Sequence, residues 1–302
     1  MTDGSHGHGF FKKIVALLVM AGMLTVTCTG CALIFRMQAD VVSPVVTQMV
    51  EETVGTQSAR AIREGIAANG LLVSALIRIS PTNRAYLEKG AFIYCSYGLL
   101  VEDEDPVYAT ELYAISKEYG LRALKTNRNF RRGLEQGKNI PELVADMDKT
   151  YMEALSWTGL SQGLWILQNM TDPEALVELA DAVAMVKRSL ELDETYFFGM
   201  GNAFLGVYYS FIPDFFGVGG GPEASRAMFD QARAVTGDRL LLVDVFEARF
   251  LDTQVHDRES FVKKLEGVIA ADPDILPESP VLTDIAKSKA AFFLKHMEAY
   301  FD

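Results

Sequence analysis

The chain has 302 residues, and its 40 acidic side chains outnumber the 28 basic ones, which gives a formal net charge of −12. Because nucleic acid and anionic lipid headgroups repel an acidic protein, this balance argues against DNA or RNA binding. About 270 residues remain beyond the N-terminal segment, which is enough for one large domain with a sizeable core.

The N-terminal residues have the features of an export signal. Lysines at 12–13 precede an apolar run over 14–26, and small residues then lead to Cys31. A positive start, a short apolar stretch and a small-residue processing site are typical of secretory signals. The segment resembles a bacterial lipoprotein signal, although Cys28 stands where Leu is usual. We therefore expect a signal peptide at 1–30, lipidation of Cys31 and a membrane-anchored periplasmic lipoprotein.

A second interpretation of the same run stays open. Apolar residues continue past Cys31 to Phe35, so the alternative is an uncleaved transmembrane anchor of about 20 residues. Both interpretations place residues 32–302 outside the cytoplasm and tether them to a membrane. Beyond a tether at 31–56, we expect one helical-repeat domain over 57–302.

The rest of the chain carries almost no strand signal. Helix-period segments run from one proline-marked break to the next. Short turns join them, so neighbouring helices should pack antiparallel in pairs. The sequence therefore predicts an all-α fold of stacked antiparallel helical hairpins. The predicted helices cover 59–79, 84–100, 107–125, 142–168, 174–192, 196–211, 223–235, 240–251, 258–271 and 283–301.

A weak repeat lies within this pattern. Gaps between successive prolines include 25, 35 and 32 residues, close to the roughly 34-residue tetratricopeptide unit. Pro222 opens a helix in which Ser225, Phe229 and Ala232 occupy the small, aromatic and alanine positions of such a unit. We expect degenerate tetratricopeptide-like repeats that form an α–α superhelix.

Aromatic side chains concentrate in the predicted helix 196–211 and just after it. Nine of the chain's 31 aromatic residues fall between Tyr196 and Phe216. A helix with aromatic residues on several faces is buried on several sides, as a core helix or with one face on an apolar cavity. In a cavity, Tyr hydroxyls would be polar handles. The candidate cavity-lining residues are Trp157, Tyr208, Tyr209, Phe211 and Phe215.

Trp157 belongs to the long predicted helix 142–168. Gly159, Ser161 and Gly163 follow it and leave little side-chain bulk on that helix. Two explanations fit this pattern: a neighbouring helix presses close, or space is left for another molecule.

Beyond Cys31, no set of residues is arranged in a way that indicates catalysis or metal binding. Beyond the signal, the only histidines are His256 and His296, and neither has a ligand-like partner at helical spacing. Beyond Cys31 the chain contains no HExxH or CxxC pattern, and no serine stands out as an activated nucleophile. The sequence therefore predicts no catalytic residues, no metal site and no cofactor.

Three other features have a structural and a functional interpretation each, and we expect the structural one. Cys95 lies in an apolar segment and is expected to be a small buried residue rather than a reactive thiol. The acidic run 102–105 is expected to be a solvated turn rather than a calcium site. The glycine-rich segment 216–222 is expected to be a helix connector rather than an anion site.

The C-terminal half resembles a known family. The segments that carry the resemblance are PEASRAMFDQA at 222–232, GDRLLLV at 237–243 and ADPDILP at 271–277. Their order and spacing are similar to those of the T-component of tripartite ATP-independent periplasmic (TRAP) transporters. These are helical lipoproteins built on cryptic tetratricopeptide repeats. The resemblance extends more loosely over most of the chain beyond the signal.

The resemblance implies several properties. Family members are periplasmic homotrimers in which an apolar pore perforates each protomer, and they bind the transporter's solute-binding (P) component. The implied role is the handling of a hydrophobic or lipid-derived small molecule, with no catalytic motif. Only the lipidated cysteine carries over by position, onto Cys31. The alternative function is a structural scaffold lipoprotein that assembles envelope proteins and binds no small molecule.

Overall fold

The computed structural model describes Gln48, residues 59–212 and residues 219–301. These residues form helices and turns with no strand, which confirms the predicted all-α class. The α-helices are α1 (Ala59–Ile79), α2 (Arg84–Val101), α3 (Pro106–Leu124), α4 (Arg128–Glu135), α5 (Ile140–Val144), α6 (Met152–Gln168), α7 (Pro173–Val177), α8 (Leu179–Leu192), α9 (Met200–Phe211), α10 (Pro222–Thr236), α11 (Leu242–Phe246), α12 (Arg258–Ala270), α13 (Pro280–Lys295) and α14 (Glu298–Phe301).

Side-chain caps and prolines set the helix starts. Asn83 accepts a hydrogen bond from the backbone N–H of Tyr86, and Asp105 accepts one from Tyr108. Each cap satisfies a first-turn donor that has no partner within its own helix. Pro106 is the first residue of α3, where its missing N–H costs nothing. Local chemistry thus explains why the predicted bounds of the first three helices lie within one residue of those observed.

One long predicted helix, 142–168, is wrong. The structure has α5, then a 3₁₀ turn at Lys149–Tyr151, and α6 begins only at Met152. Asp148 is extended and caps Thr150, which interrupts the helix. A further helix, α4, was not predicted; its start is capped by Asn127, which accepts hydrogen bonds from the N–H groups of Asn129 and Phe130.

The helix predicted at 196–211 begins four residues after its predicted start. Tyr196–Gly199 is a short 3₁₀ turn, and α9 starts at Met200. Phe197 and Phe198 have φ values of 44° and 60°, so the backbone is left-handed there. This conformation is costly for side chains other than Gly and persists only where surrounding packing holds it. Phe197 therefore projects from a turn rather than from the α9 face.

The helices close into a circuit. In the series α1, α2, α6, α8, α9, α11 and α13, each helix contacts the next one. The last of them, α13, also contacts α1. Because α13 lies near the C-terminal end and α1 begins the described domain, this last contact joins opposite ends of the chain.

An ion-pair seam lies beside this closing contact and corrects the prediction of a solvated turn at 102–105. Lys289 of α13 is buried, and its Nζ lies 2.8 Å from Glu102 Oε1 and 2.8 Å from Asp103 Oδ2. Tyr113 donates a hydrogen bond of 2.6 Å to Glu102 Oε2. The two carboxylates therefore compensate a buried ammonium group.

Candidate functional site

An apolar cavity of about 160 Å³ lies inside the circuit of helices. A single water needs roughly 10–15 Å³ of such space, so this cavity is many times larger than a packing defect. Side chains from α1, α2, α6, α7, α8, α9, α11 and α13 reach it, together with residues of the segments between these helices. The circuit thus walls a space that no single helical hairpin could enclose.

The lining is uncharged. It contains no Asp, Glu, Lys, Arg or His, and its polar side-chain groups come from Ser96, Ser279, Tyr208, Trp157 and Cys95. The main apolar contributors are Ile62, Ile66, Leu99, Leu100, Leu160, Leu164, Leu167, Val207, Leu242, Val281, Leu282 and Ile285. Such a surface favours an apolar molecule and strongly disfavours an ion, which would have to shed its water without compensation.

One wall is an aromatic cluster. Trp157 packs edge-on against Phe92 and Phe197, with ring centroids 4.8 Å and 4.7 Å away. Its Nε1 donates a hydrogen bond of 2.8 Å to Tyr196 Oη, which satisfies the indole donor. The left-handed turn at Phe197 brings that ring against Trp157, so the strained backbone builds part of the wall.

Another part of the wall includes a π-helix. The chain continues from α11 into a π-helical segment at Glu247–Asp252, a form that is rare and frequently marks functional sites. Phe246 and Phe250 lie on the cavity, and the Phe250 ring is 6.1 Å from that of Phe211. Phe246 and Phe250 were not among the predicted cavity residues, although an aromatic pair four residues apart was a usable signal.

The predicted candidate residues occupy different places. Trp157, Tyr208 and Phe211 line the cavity. Tyr209 is not among the lining residues, and its ring centre is 5.7 Å from Lys187 Nζ. Phe215 lies outside the described residues, as does Cys31.

The small residues after Trp157 admit neighbouring side chains. A Cβ at Gly159 would come within 2.7 Å of Val186 and within 2.9 Å of the Ala182 carbonyl oxygen, so α8 presses on α6 there. At Gly163 the Phe204 ring fills the equivalent position. Of the two explanations, close helix packing is the one observed at these glycines.

Cys95 is buried, as predicted, and it borders the cavity. Burial raises the pKa of its thiol, and the nearby Glu102 carboxylate adds to the effect. A thiol is nucleophilic only as the thiolate, so this residue is chemically inert and contributes apolar surface.

Two further properties concern the whole described part. Across residues 59–212 and 219–301, none of the helices has both the length and the apolar character needed to cross a bilayer. Among the same residues, no three His, Cys, Asp or Glu side chains converge in a way that could hold a metal ion.

Comparison with known families gives one match. The family described as TRAP transporter T-component matches residues 58–301, which is most of the chain and includes every wall of the cavity. No curated protein matches the chain. The matched family consists of transporter accessory components and is not a known enzyme class.

Proposed function

Because this chain belongs to the TRAP transporter T-component family, we propose that it shelters a hydrophobic small molecule in its cavity and passes it to or from the transporter's solute-binding (P) component. An accessory role in a TRAP transporter follows from the family itself. Beyond that role, we propose the ligand, the partner and the hand-off between them.

The uncharged cavity lining is the observation that carries the proposal. Burial of apolar surface contributes roughly 25 cal/mol per Å², so affinity would scale with the ligand area removed from water. This interaction has little directionality, which suits a family of similar apolar ligands better than one selected molecule. The hydroxyls of Ser96 and Tyr208 lie on the lining, where they would orient one polar end.

The cellular setting is also part of the proposal. A TRAP transporter component belongs in the periplasm or envelope. We extend this to a lipid anchor at Cys31 on the basis of the signal segment, and to a homotrimer on the basis of the family resemblance. An anchored carrier would hold its apolar ligand near the membrane transporter while shielding it from water.

Bromine quenching of tryptophan fluorescence tests ligand binding directly. The chain has two tryptophans. Trp157 lines the cavity, whereas Trp165 lies outside the lining with Lys117 Nζ 4.2 Å from its ring centre. In the full chain in lipid nanodiscs, Trp165→Phe leaves only the cavity reporter. Added 12-bromododecanol should quench it saturably.

The matched control is Trp157→Phe, which leaves only Trp165. This variant reports quenching by probe dissolved in the lipid and should show a small, non-saturating loss of fluorescence. Equal quenching curves for the two variants would contradict binding in the cavity and would favour the scaffold alternative.

A further inference from the structure

The cavity reaches the surface at an exposed apolar lip, which we define as Met170, Leu176 and Val177. These side chains are 42%, 43% and 79% exposed, high values for residues of this type. Met170 and Leu176 also line the cavity. Apolar surface therefore continues from the interior to the outside of the protein at the end of α6 and along α7.

An acidic rim borders this lip, and we define it as Asp172, Glu174 and Asp181. None of the three forms an ion pair with any residue that the structure describes. From residue 150 to residue 186 the sequence contains no Lys, Arg or His. The rim thus carries negative charge that nothing on its own segment compensates.

The neighbouring Glu178 shows that this contrast is local. Its carboxylate lies 2.6 Å from Lys117 Nζ, and it also accepts a hydrogen bond from Gln162 Nε2. Partial burial raises the pKa of Asp181, and the Glu178 charge raises it further. A positive group brought to the rim from outside would relieve this repulsion between carboxylates.

We propose that the lip and the rim together dock the solute-binding component, through an apolar surface on that protein flanked by Lys and Arg. The proposal rests on the proposed function, because a sealed cavity mouth matters only if the cavity carries a ligand. Docking at the mouth would let an apolar molecule cross between the two proteins without entering water.

The charge and the size of this surface favour the solute-binding component over a membrane surface or a second copy of the chain. An anionic bilayer surface would be repelled by the rim carboxylates. A second copy of this chain would bring the same negative charge to the contact. The lip consists of only three side chains, much less than the roughly 800 Å² per partner of a stable interface, so we expect a transient and salt-dependent contact.

Two variants of the full chain in nanodiscs test the surface. Asp172→Asn/Glu174→Gln/Asp181→Asn removes the rim charge, and asparagine at 172 can still cap α7. Val177→Ser removes apolar area at the most exposed lip position without reaching the cavity lining. Affinity for the purified solute-binding component of the same transporter is measured by biolayer interferometry at low and high salt.

We expect the rim variant to bind about tenfold more weakly at low salt and to lose most of the salt dependence, since exposed charges act over a screened range. Val177→Ser should weaken binding at both salt concentrations. Matched controls on other surfaces are Glu135→Gln/Glu259→Gln/Glu266→Gln and Leu71→Ser. These positions are exposed, and the controls should bind like the parent.

Parent-like affinity in both test variants would overturn the docking proposal. So would the finding that Val177→Ser changes only self-association in sedimentation, or only flotation with anionic vesicles. The quenching assay with 12-bromododecanol, repeated in each variant on the Trp165→Phe background, separates the two proposals. If the variants still show quenching and still dock like the parent, only the proposed docking surface is rejected. If the parent itself shows no quenching, the proposed function is rejected.

Discussion

Glu88 lies on α2 with its side chain almost fully buried, and its nearest cation is Arg84, whose Nε is 3.3 Å from Glu88 Oε1. Burial raises the pKa of Glu88 from 4.5 to about 7, against the opposing charge of Arg84. Glu153 adds to the rise and Lys89 reduces it. The folded protein therefore holds a proton that the unfolded chain releases at lower pH.

This difference in the pKa of Glu88 between the folded and the unfolded chain makes the free energy of unfolding depend on pH. The stabilising contribution of the Glu88 proton is fully present below pH 4.5 and is lost as pH rises to about 7. Glu88→Gln mimics the protonated form and should therefore be more stable than the parent at pH 8, by up to about 3 kcal/mol. The gain should vanish towards pH 4.5. Urea unfolding at several pH values measures it.

The control for this variant is Glu64→Gln, in an exposed pair with Arg60. It should change stability little at any pH, because exposed ion pairs contribute little. A constant difference between Glu88→Gln and the parent from pH 5 to pH 8 would show that the Glu88 carboxyl has an ordinary pKa.

At the scale of elements, α13 is held to the turn between α2 and α3 by Lys289. Burial alone would lower the pKa of this lysine, but Glu102 and Asp103 raise it above its ordinary value. Ile285, one turn before Lys289, lines the cavity, and so does Leu100, two residues before Glu102. The ion-pair seam therefore fixes two walls of the cavity relative to each other.

Lys289→Ala should destabilise the protein by about 3–5 kcal/mol, because two partly buried carboxylates lose their cation. The triple variant Lys289→Met/Glu102→Gln/Asp103→Asn removes all three charges together and should lose much less. Free energies of unfolding from urea titration provide the comparison. Lys263→Ala, at an exposed position, is the matched control. Equal losses in the single and triple variants would mean that packing, not charge, dominates at the seam.

At the scale of the whole molecule, the cavity exists because α1 and α13, from opposite ends of the described chain, meet. Filling the cavity should stabilise this closed arrangement, since a ligand that binds only the folded state raises its stability. At 100 times the dissociation constant the gain is about 2.7 kcal/mol. We therefore expect 12-bromododecanol to raise Tm by roughly 5–10 °C, from about 2–4 °C per kcal/mol for a domain of this size.

Tyr208→Ala/Phe211→Ala removes two aromatic side chains from the cavity wall and should weaken probe binding about tenfold or more. At the same probe concentration, Tm should therefore rise less than in the parent. Tyr208→Phe keeps the ring and should retain most of the rise, which guards against a fold defect in the double variant. A full Tm rise in a folded double variant would assign these rings to the core rather than to the binding surface.

Sequence patterns predicted the elements well wherever local chemistry decides them. The Asn83 and Asp105 caps and the proline at the start of α3 are written in short stretches of sequence. The helix-forming period continues through 142–168, however, and nothing in that period showed that Asp148 would interrupt it. The left-handed turn at Phe197 was equally hidden, because aromatic residues rarely adopt it without tertiary support.

The sequence by itself determined the helical class and the aromatic concentration around α9, because both depend on residue type and local spacing. Only the tertiary structure decided that α13 closes against α1, that Lys289 reaches Glu102 across the chain, and that Phe246 and Phe250 join Trp157 around one cavity. These contacts join residues far apart in sequence. Their geometry follows from the summed packing of all the helices, which no local pattern encodes.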